Sequence, residues 1–279
     1  MVLSLHFLGP PCQGGDNTMT TTTMTPADEL TTIVMADDVS DSLWAAVDTG
    51  RMAELVPELL KLEMEQDPIH KHKDVLAHTI AVVAKTPPDL LVRLGTLFHD
   101  IGKPDTRRID QREGVTFRHH EAVGARITKS RLTELGYDDQ TIDDVTELVR
   151  LSGRFKGYAA GWSDSAVRRY ARDAGPLLGR LNTLVRCDCT TRNKRKRHEL
   201  QEHVDHLEER IAALAEADRR AAERPEMDGQ AVMAHLGLEP GPDVGAAMKF
   251  LLEIKRTEGT LGADEVERRL DQWWAERQS

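Results

Sequence analysis

Four side chains in this sequence share a need that a single cation would meet. His99 and Asp100 are adjacent at the end of an apolar stretch (Leu91, Leu94, Phe98) and precede Ile101-Gly102-Lys103-Pro104. Neighbours on a regular helix point about 100° apart, but a last turn that loosens lets both face one ion. His78 lies three residues after Val75 and four before Val82, so it faces inward with an apolar stripe, where an imidazole needs a partner. Asp188 follows Leu181, Leu184 and Val185, and a carboxylate on such a stripe needs one too. A divalent metal would satisfy all four. Singly, each has a plainer reading: a His on an apolar face is usually a hydrogen-bonded core residue, and an Asp is usually a helix cap. Cys187 and Cys189 read as small buried residues, since two positions apart on a helix they cannot both face one ion. His119-His120 reads alone as a surface cluster at a helix start, and His70 and His72 fall in a charged, loop-like stretch.

The elements that must position these groups are helical from about residue 27 onward. Asp41 can cap a segment bearing Trp44 and Val47, and Leu55, Leu59 and Leu62 form the next stripe. Val75, Ile80, Val82 and Val83 mark the helix that carries His78, which stops before Pro87-Pro88. Asp89 caps the helix leading to His99, and Gly102 is placed as its terminator. Ile127, Leu132 and Leu135 end at Gly136, and Ile142, Val145, Leu148 and Val149 follow. Ser163 or Asp164 starts a helix that Gly175 closes, with Pro176 in the first turn of the one after. Leu200, Val204, Leu207, Ile211 and Leu214 alternate steps of four and three, the narrow seam of a long amphipathic helix. The segments 231–236, 244–254 and 266–274 form a small helical unit, with Gly241-Pro242 as plain helix initiation. The one strand-like stretch is Val115–Phe117, pairing near Arg107–Ile109, so the fold class is all-α.

Composition narrows the function classes. No apolar run approaches 18 residues, so no helix is long enough to cross a membrane. Three cysteines (Cys12, Cys187, Cys189) make no disulfide framework and suit a reducing, cytoplasmic setting. With four Trp, three Tyr and five Phe, stacking is a poor basis for single-strand binding. The net charge is −10, yet residues 154–197 hold twelve Lys/Arg against three acids, a local +9 that leaves −19 elsewhere. Such a stripe is either the footprint of a phosphate-bearing partner or a solvated face paired with acidic neighbours. Residues 1–26, with MTTTTMTP at 19–26, read as a disordered leader.

The spacing of His78, His99-Asp100 with Gly102-Lys103, and Asp188 resembles the HD superfamily of metal-dependent phosphohydrolases. The segments HKHKDVLAHT (70–79), LGTLFHDIGKPDTR (94–107), FRHHEAVGA (117–125), DSAVRRYARDAGPLL (164–178), RCDCTTRNKRKR (186–197) and MDGQAVMAHLGLEPGPDVG (227–245) are similar to the C-terminal half of bacterial CCA-adding tRNA nucleotidyltransferases. The resemblance implies an HD-domain helical bundle followed by a smaller helical body and tail. The implied division is a leader at 1–26, a helical segment at 27–66, the HD domain at 67–198 and the tail at 199–279. The Gly-Ser motif, paired aspartates and acidic-x-x-Arg pattern of that family's nucleotidyltransferase head do not occur before residue 40, so nucleotide addition is not expected of this chain alone. A separate head is then an implied partner.

The resemblance further implies a divalent ion held by His78, His99, Asp100 and Asp188; mixed nitrogen and oxygen donors suit Mn, Fe, Ni, Co or Zn better than Mg. The implied chemistry is hydrolysis of a phosphomonoester or 2′,3′-cyclic phosphate. Asp100, Lys103 and His120 take the catalytic roles, Lys103 as a phosphate contact and His120 as a further ligand or general acid. Considered alone, Lys103 is a last-turn helix cation. Arg168, Arg169, Arg192, Lys194, Arg195, Lys196 and Arg197 are implied contacts for tRNA or nucleotide phosphates. Ser152 stands where the family often has a histidine, which removes a ligand that a second metal would use. The alternative reading is a non-catalytic tRNA-binding body and tail module of a split or truncated CCA-adding enzyme.

Overall fold

The computed structural model describes residues 24–64, 74–110, 114–189 and 193–279. The leader before residue 24, Cys12, His70, His72 and Arg192 lie outside the described residues. Helices dominate, with one two-stranded antiparallel ribbon among the described residues, in keeping with the all-α reading. The chain divides into two compact units: up to Gly157 together with Ala174–Leu200, and Tyr158–Asp173 together with Gln201–Ser279.

The first unit opens with α1 (Pro26–Met35), α2 (Val39–Asp48), α3 (Arg51–Leu55) and α4 (Pro57–Leu60). Asp38, not Asp41, caps α2: its carboxylate accepts the Asp41 N–H at 3.0 Å. An aspartate three residues further along is itself the donor of that cap, and so cannot be the residue that starts the helix. Next come α5 (Val75–Val83), α6 (Leu90–Phe98), the single turn α7 (Lys103–Thr106), β1 (Arg108–Asp110), β2 (Gly114–Thr116), α8 (His120–Leu135), α9 (Asp139–Leu151) and α11 (Leu178–Cys187) after α10 of the second unit (Asp164–Ala174). β1 and β2 pair Ile109 with Val115, the ribbon anticipated from the sequence.

α6 is the centre of this unit: every residue from Val92 to Phe98 is buried, against α1, α5, α9 and α11. One continuous core joins Leu30, Val34 and Leu43 of α1 and α2 to Leu76, Ile80, Leu97, Phe98, Leu132 and Val149. Arg93 is buried within it because its Nη1 finds acceptors at the end of α1, the carbonyls of Val34 (2.7 Å) and Ala36 (3.2 Å). A buried guanidinium is tolerable only with such partners. Asp89 caps α6 through the Val92 N–H (3.1 Å), and Gly136 ends α8 in the left-handed conformation (φ +87°). Gly102 has φ −83°, so it does not end α6 as a left-handed cap. Its reason is steric: a Cβ there would stand 2.3 Å from the His120 carbonyl oxygen and 2.6 Å from the Gly124 nitrogen.

In the second unit, Val204 and Leu207 of α12 (Lys194–Ala222) are buried, while Ile211 and Leu214 are half-buried, so only part of the expected seam is covered. Tyr158, Trp162 and Tyr170 stack edgewise or tilted, and the Tyr158 hydroxyl bonds His206 Nδ1 at 2.8 Å. Helices α13 (Gly229–Leu236), α14 (Pro242–Glu258) and α15 (Ala263–Gln278) close on Val232, Ala247, Leu251, Val266 and Leu270.

Candidate metal centre

Two helix ends and one helix face of the first unit meet at a small polar cluster. Asp74 caps α5 through the Ala77 N–H (2.9 Å), which sets His78 on the second turn facing α6 and α11. α6 ends at Phe98, and the chain continues as a turn in which the Ile101 N–H reaches the Phe98 carbonyl (3.1 Å). That loosened turn allows His99 and Asp100 to face the same point, with Nε2 and Oδ2 3.2 Å apart. Asp188 is the cap of α11, its N–H on the Leu184 carbonyl at 3.0 Å. Its Oδ1 lies 3.0 Å from His78 Nε2 and 3.4 Å from His99 Nε2. One ligand atom each of His78, His99 and Asp188 falls within 4.8 Å of the others, and Asp100 Oδ2 is 3.8 Å from His78 Nε2.

The chemistry of the donors fits a divalent cation. His99 Nδ1 stands 2.6 Å from the Thr96 carbonyl. A carbonyl only accepts, so Nδ1 carries the proton, and in the neutral ring Nε2 presents a lone pair. That Nε2 is buried, has no hydrogen-bond partner among the described residues, and looks onto two carboxylates. An acceptor facing acceptors requires a positive charge between or upon them. Burial opposes charging of His99, but the Asp100 and Asp188 carboxylates outweigh it and raise the imidazole to about 10. Burial likewise resists ionisation of Asp100, yet His99 and Lys103 hold it well below the usual carboxylate range. Asp188 is lowered in the same way by His99 and His78. Two imidazole nitrogens and two carboxylates are a donor set suited to a first-row divalent ion, and the Nδ1–H to carbonyl bond is the outer-shell partner that fixes a ligating ring.

The HD domain family model matches residues 75–221, a span that contains His78, His99, Asp100 and Asp188. The chain belongs to the HD domain family. It is also 31% identical over 257 residues, 89% of its length, to the A-adding tRNA nucleotidyltransferase of Deinococcus radiodurans. A similar match, 31% over 255 residues, links it to the CC-adding tRNA nucleotidyltransferase of Thermus thermophilus. The chain spans little more than half the length of these relatives, 58% and 56%.

In this HD domain chain Lys103 and His120 stand beside the cluster. Lys103 opens α7 instead of closing α6, and three residues beyond Asp100 its Nζ turns back to Asp100 Oδ2 at 2.7 Å. It is buried there, 5.6 Å above the centre of the Phe117 ring. His119 takes φ +64°, uncommon for a residue with a side chain, and this turns the chain from β2 into α8. His120 is then buried, not on the surface: Nδ1 donates to the Phe117 carbonyl (2.8 Å) and Nε2 lies 3.6 Å from Asp100 Oδ1. Burial lowers its pKa despite the nearby Glu121 carboxylate. Glu121 itself went unnoticed in the sequence; its Oε2 is 3.4 Å from His120 Nδ1, and its carboxylate occupies the space left by Gly153. Ser152 donates its hydroxyl to the Val149 carbonyl at 2.9 Å.

The basic residues divide between the units. Lys194, Arg195, Lys196 and Arg197 are exposed on the first turns of α12, within the first unit. Arg168 and Arg169 belong to the second unit, where Arg168 grips Asp218 with two bonds (2.7 and 2.8 Å) and Arg169 lies 3.7 Å from Asp173. Lys85 and Phe117, which touch the residues around the cluster without entering it, left no signal in the spacing.

Proposed function

We propose that this chain is a metal-dependent phosphohydrolase of the HD type, acting on phosphomonoesters or 2′,3′-cyclic phosphates of nucleotides or RNA ends and linked to tRNA 3′-end processing. The observation that carries the reading is His99 Nε2, a buried nitrogen without a hydrogen-bond partner among the described residues that faces the Asp100 and Asp188 carboxylates. His78, His99, Asp100 and Asp188 would hold the ion. When bound, it supplies Lewis acidity that polarises a phosphoryl oxygen and acidifies water.

The residues around it have separable tasks. The His99 and Asp100 side chains are 4% exposed and form the floor, whereas His78 (15%) and Asp188 (33%) form the open side. Substrate therefore approaches across His78 and Asp188. Lys103 keeps Asp100 ionised by charge, and its ammonium is already engaged at 2.7 Å, which favours orientation of Asp100 over direct capture of a phosphate. His120 donates from Nδ1 to Phe117, so its Nε2 is free to accept a proton from water or, once protonated, to deliver one to a leaving oxygen. Lys194 to Arg197 would meet flanking phosphates, which position an RNA without reading its sequence. Free Cys187 and Cys189 suit work in the cytoplasm.

Ser152 favours a second reading. Its hydroxyl is spent on its own helix and offers nothing to a second ion, which fits a tRNA-binding body and tail module working with a nucleotidyltransferase head. The two readings separate in one assay. Protein stripped with a chelator is given Mn, Ni, Co, Zn or Mg and tested on 2′,3′-cyclic AMP and p-nitrophenyl phosphate, beside Asp100→Ala and Asp188→Asn. Metal-dependent turnover that both variants lose is the expected result. No turnover with any metal, together with salt-sensitive tRNA binding, overturns the hydrolase in favour of the module.

A further inference from the structure

We infer that Lys85 is a positioning residue for Asp188, gripping the residues on either side of that carboxylate from the end of the helix that carries His78. The inference rests on the metal-site reading above. Lys85 lies two residues beyond the end of α5, seven after His78. Its Nζ donates to the carbonyl of Cys189 at 2.6 Å, and its own carbonyl accepts the Cys187 thiol at 3.5 Å. These reciprocal bonds join one residue to both neighbours of Asp188, across more than a hundred positions of sequence.

Asp188 needs such a restraint because of where it stands. α11 ends at Cys187, and Asp188, its cap, is held on its amino side by its own N–H to the Leu184 carbonyl. The end of α11 is the negative pole of the helix dipole, and an ammonium is the group that complements it. Lys85 supplies one at the carbonyl of Cys189, the residue after Asp188. The same helix presents His78 Nε2 3.0 Å from Asp188 Oδ1. α5 and the turn that ends it thus hold Asp188 at two points, His78 at its side chain and Lys85 at the backbone on either side of it. Lys85 is exposed and contributes nothing to the core, so its replacement leaves the fold intact.

The test titrates Co(II) alone into metal-free wild type, Lys85→Met, Lys85→Arg, His99→Ala and the remote surface variant Lys129→Met, following affinity by calorimetry and coordination by the cobalt d–d bands. Outer-shell partners of metal ligands are commonly worth 10–100-fold in affinity, and one acting through the backbone belongs at the low end, about tenfold. Lys85→Met is therefore expected to bind Co(II) about tenfold more weakly with altered d–d bands, at unchanged metal-free melting temperature. Lys85→Arg, which can still donate to the Cys189 carbonyl, is expected to recover most of the loss, and Lys129→Met to behave as wild type. Wild-type binding and spectrum in Lys85→Met, with binding lost in His99→Ala, overturns the role of Lys85 while the metal site stands. A fall in metal-free melting that tracks the lost affinity also overturns it, since that marks general loosening. Equal binding by wild type and His99→Ala removes the metal site and this inference with it.

Discussion

Adding one methyl group at Gly102 should disable the metal centre through its floor. An ideal Cβ at this position would lie 2.3 Å from the His120 oxygen, 2.6 Å from the Gly124 nitrogen and 3.1 Å from the Gly124 Cα, where ordinary contact begins near 3.4 Å. All three atoms are backbone, so no side chain can swing aside; α8 must retreat from the α6–α7 turn by about 1 Å. Overpacking of this kind costs roughly 1–3 kcal/mol, and a purely backbone clash belongs at the upper end. For a unit of this size that is roughly 5–10 °C in melting temperature. Because the retreat carries His120 away from Asp100, the hydrolysis proposed above should fall about 100-fold, the usual consequence of a misplacement near 1 Å. Gly179→Ala provides the internal comparison. A Cβ there meets nothing within 4 Å, inside α11 of the same unit. It should stabilise by about 0.5–1 kcal/mol, since alanine gives up less backbone freedom than glycine in a helix. Scanning calorimetry of the two variants beside wild type reads both signs. Wild-type melting in Gly102→Ala would refute the argument, because the close approach would then be no constraint on the fold.

Two further outcomes can be checked by equilibrium unfolding. Arg131 grips Glu58 with two bonds (2.6 and 3.0 Å) between α8 and α4; burial alone would raise the Glu58 pKa, but Arg131 holds it below 4.5. A depressed carboxylate stabilises above its unfolded pKa and stops doing so as pH falls through the folded one. Glu58→Gln should cost about 1–3 kcal/mol at about pH 7 and nearly nothing at about pH 3 in urea titrations. A gap that persists in acid would show that the loss is not electrostatic. Leu270→Ala removes a fully buried side chain from the core of α13 to α15 and should cost about 2–5 kcal/mol there. Its Co(II) affinity should equal that of wild type, because every candidate ligand lies in the other unit; joint loss of both would argue against separate cores.

The sequence disclosed most where a polar side chain interrupted a helical stripe. His78 and Asp188 stood out because Val75, Val82, Leu181 and Leu184 gave their faces away, and His99-Asp100 because an apolar helix ran straight into them. Gly136 and Asp89 were legible as punctuation because caps are local. What depends on a second element was not legible. Gly102 looked like a helix terminator, yet its smallness serves a neighbour that begins at His120. Lys103 looked like a helix-end cation, whereas a new turn starting at that residue folds its ammonium onto Asp100. The cap of α2 went to Asp38 and not Asp41 because two aspartates three apart offer the same pattern, and only the path of the preceding turn selects between them. The contacts of Glu121 with Gly153 and of Lys85 with Cys187 and Cys189 depend on distant packing and have no period to betray them.

The guanidinium of Arg93 has a bearing on where this chain can be cut. The HD domain match begins at residue 75, but the acceptors of Arg93 are the carbonyls of Val34 and Ala36, some forty residues upstream of that edge. A graft that starts at the edge of the family match would strand a charge in the interior of α6, the very helix that delivers His99 and Asp100. The domain match and the transplantable piece are therefore different lengths of polypeptide, and α1 travels with the site although it contributes no atom to it.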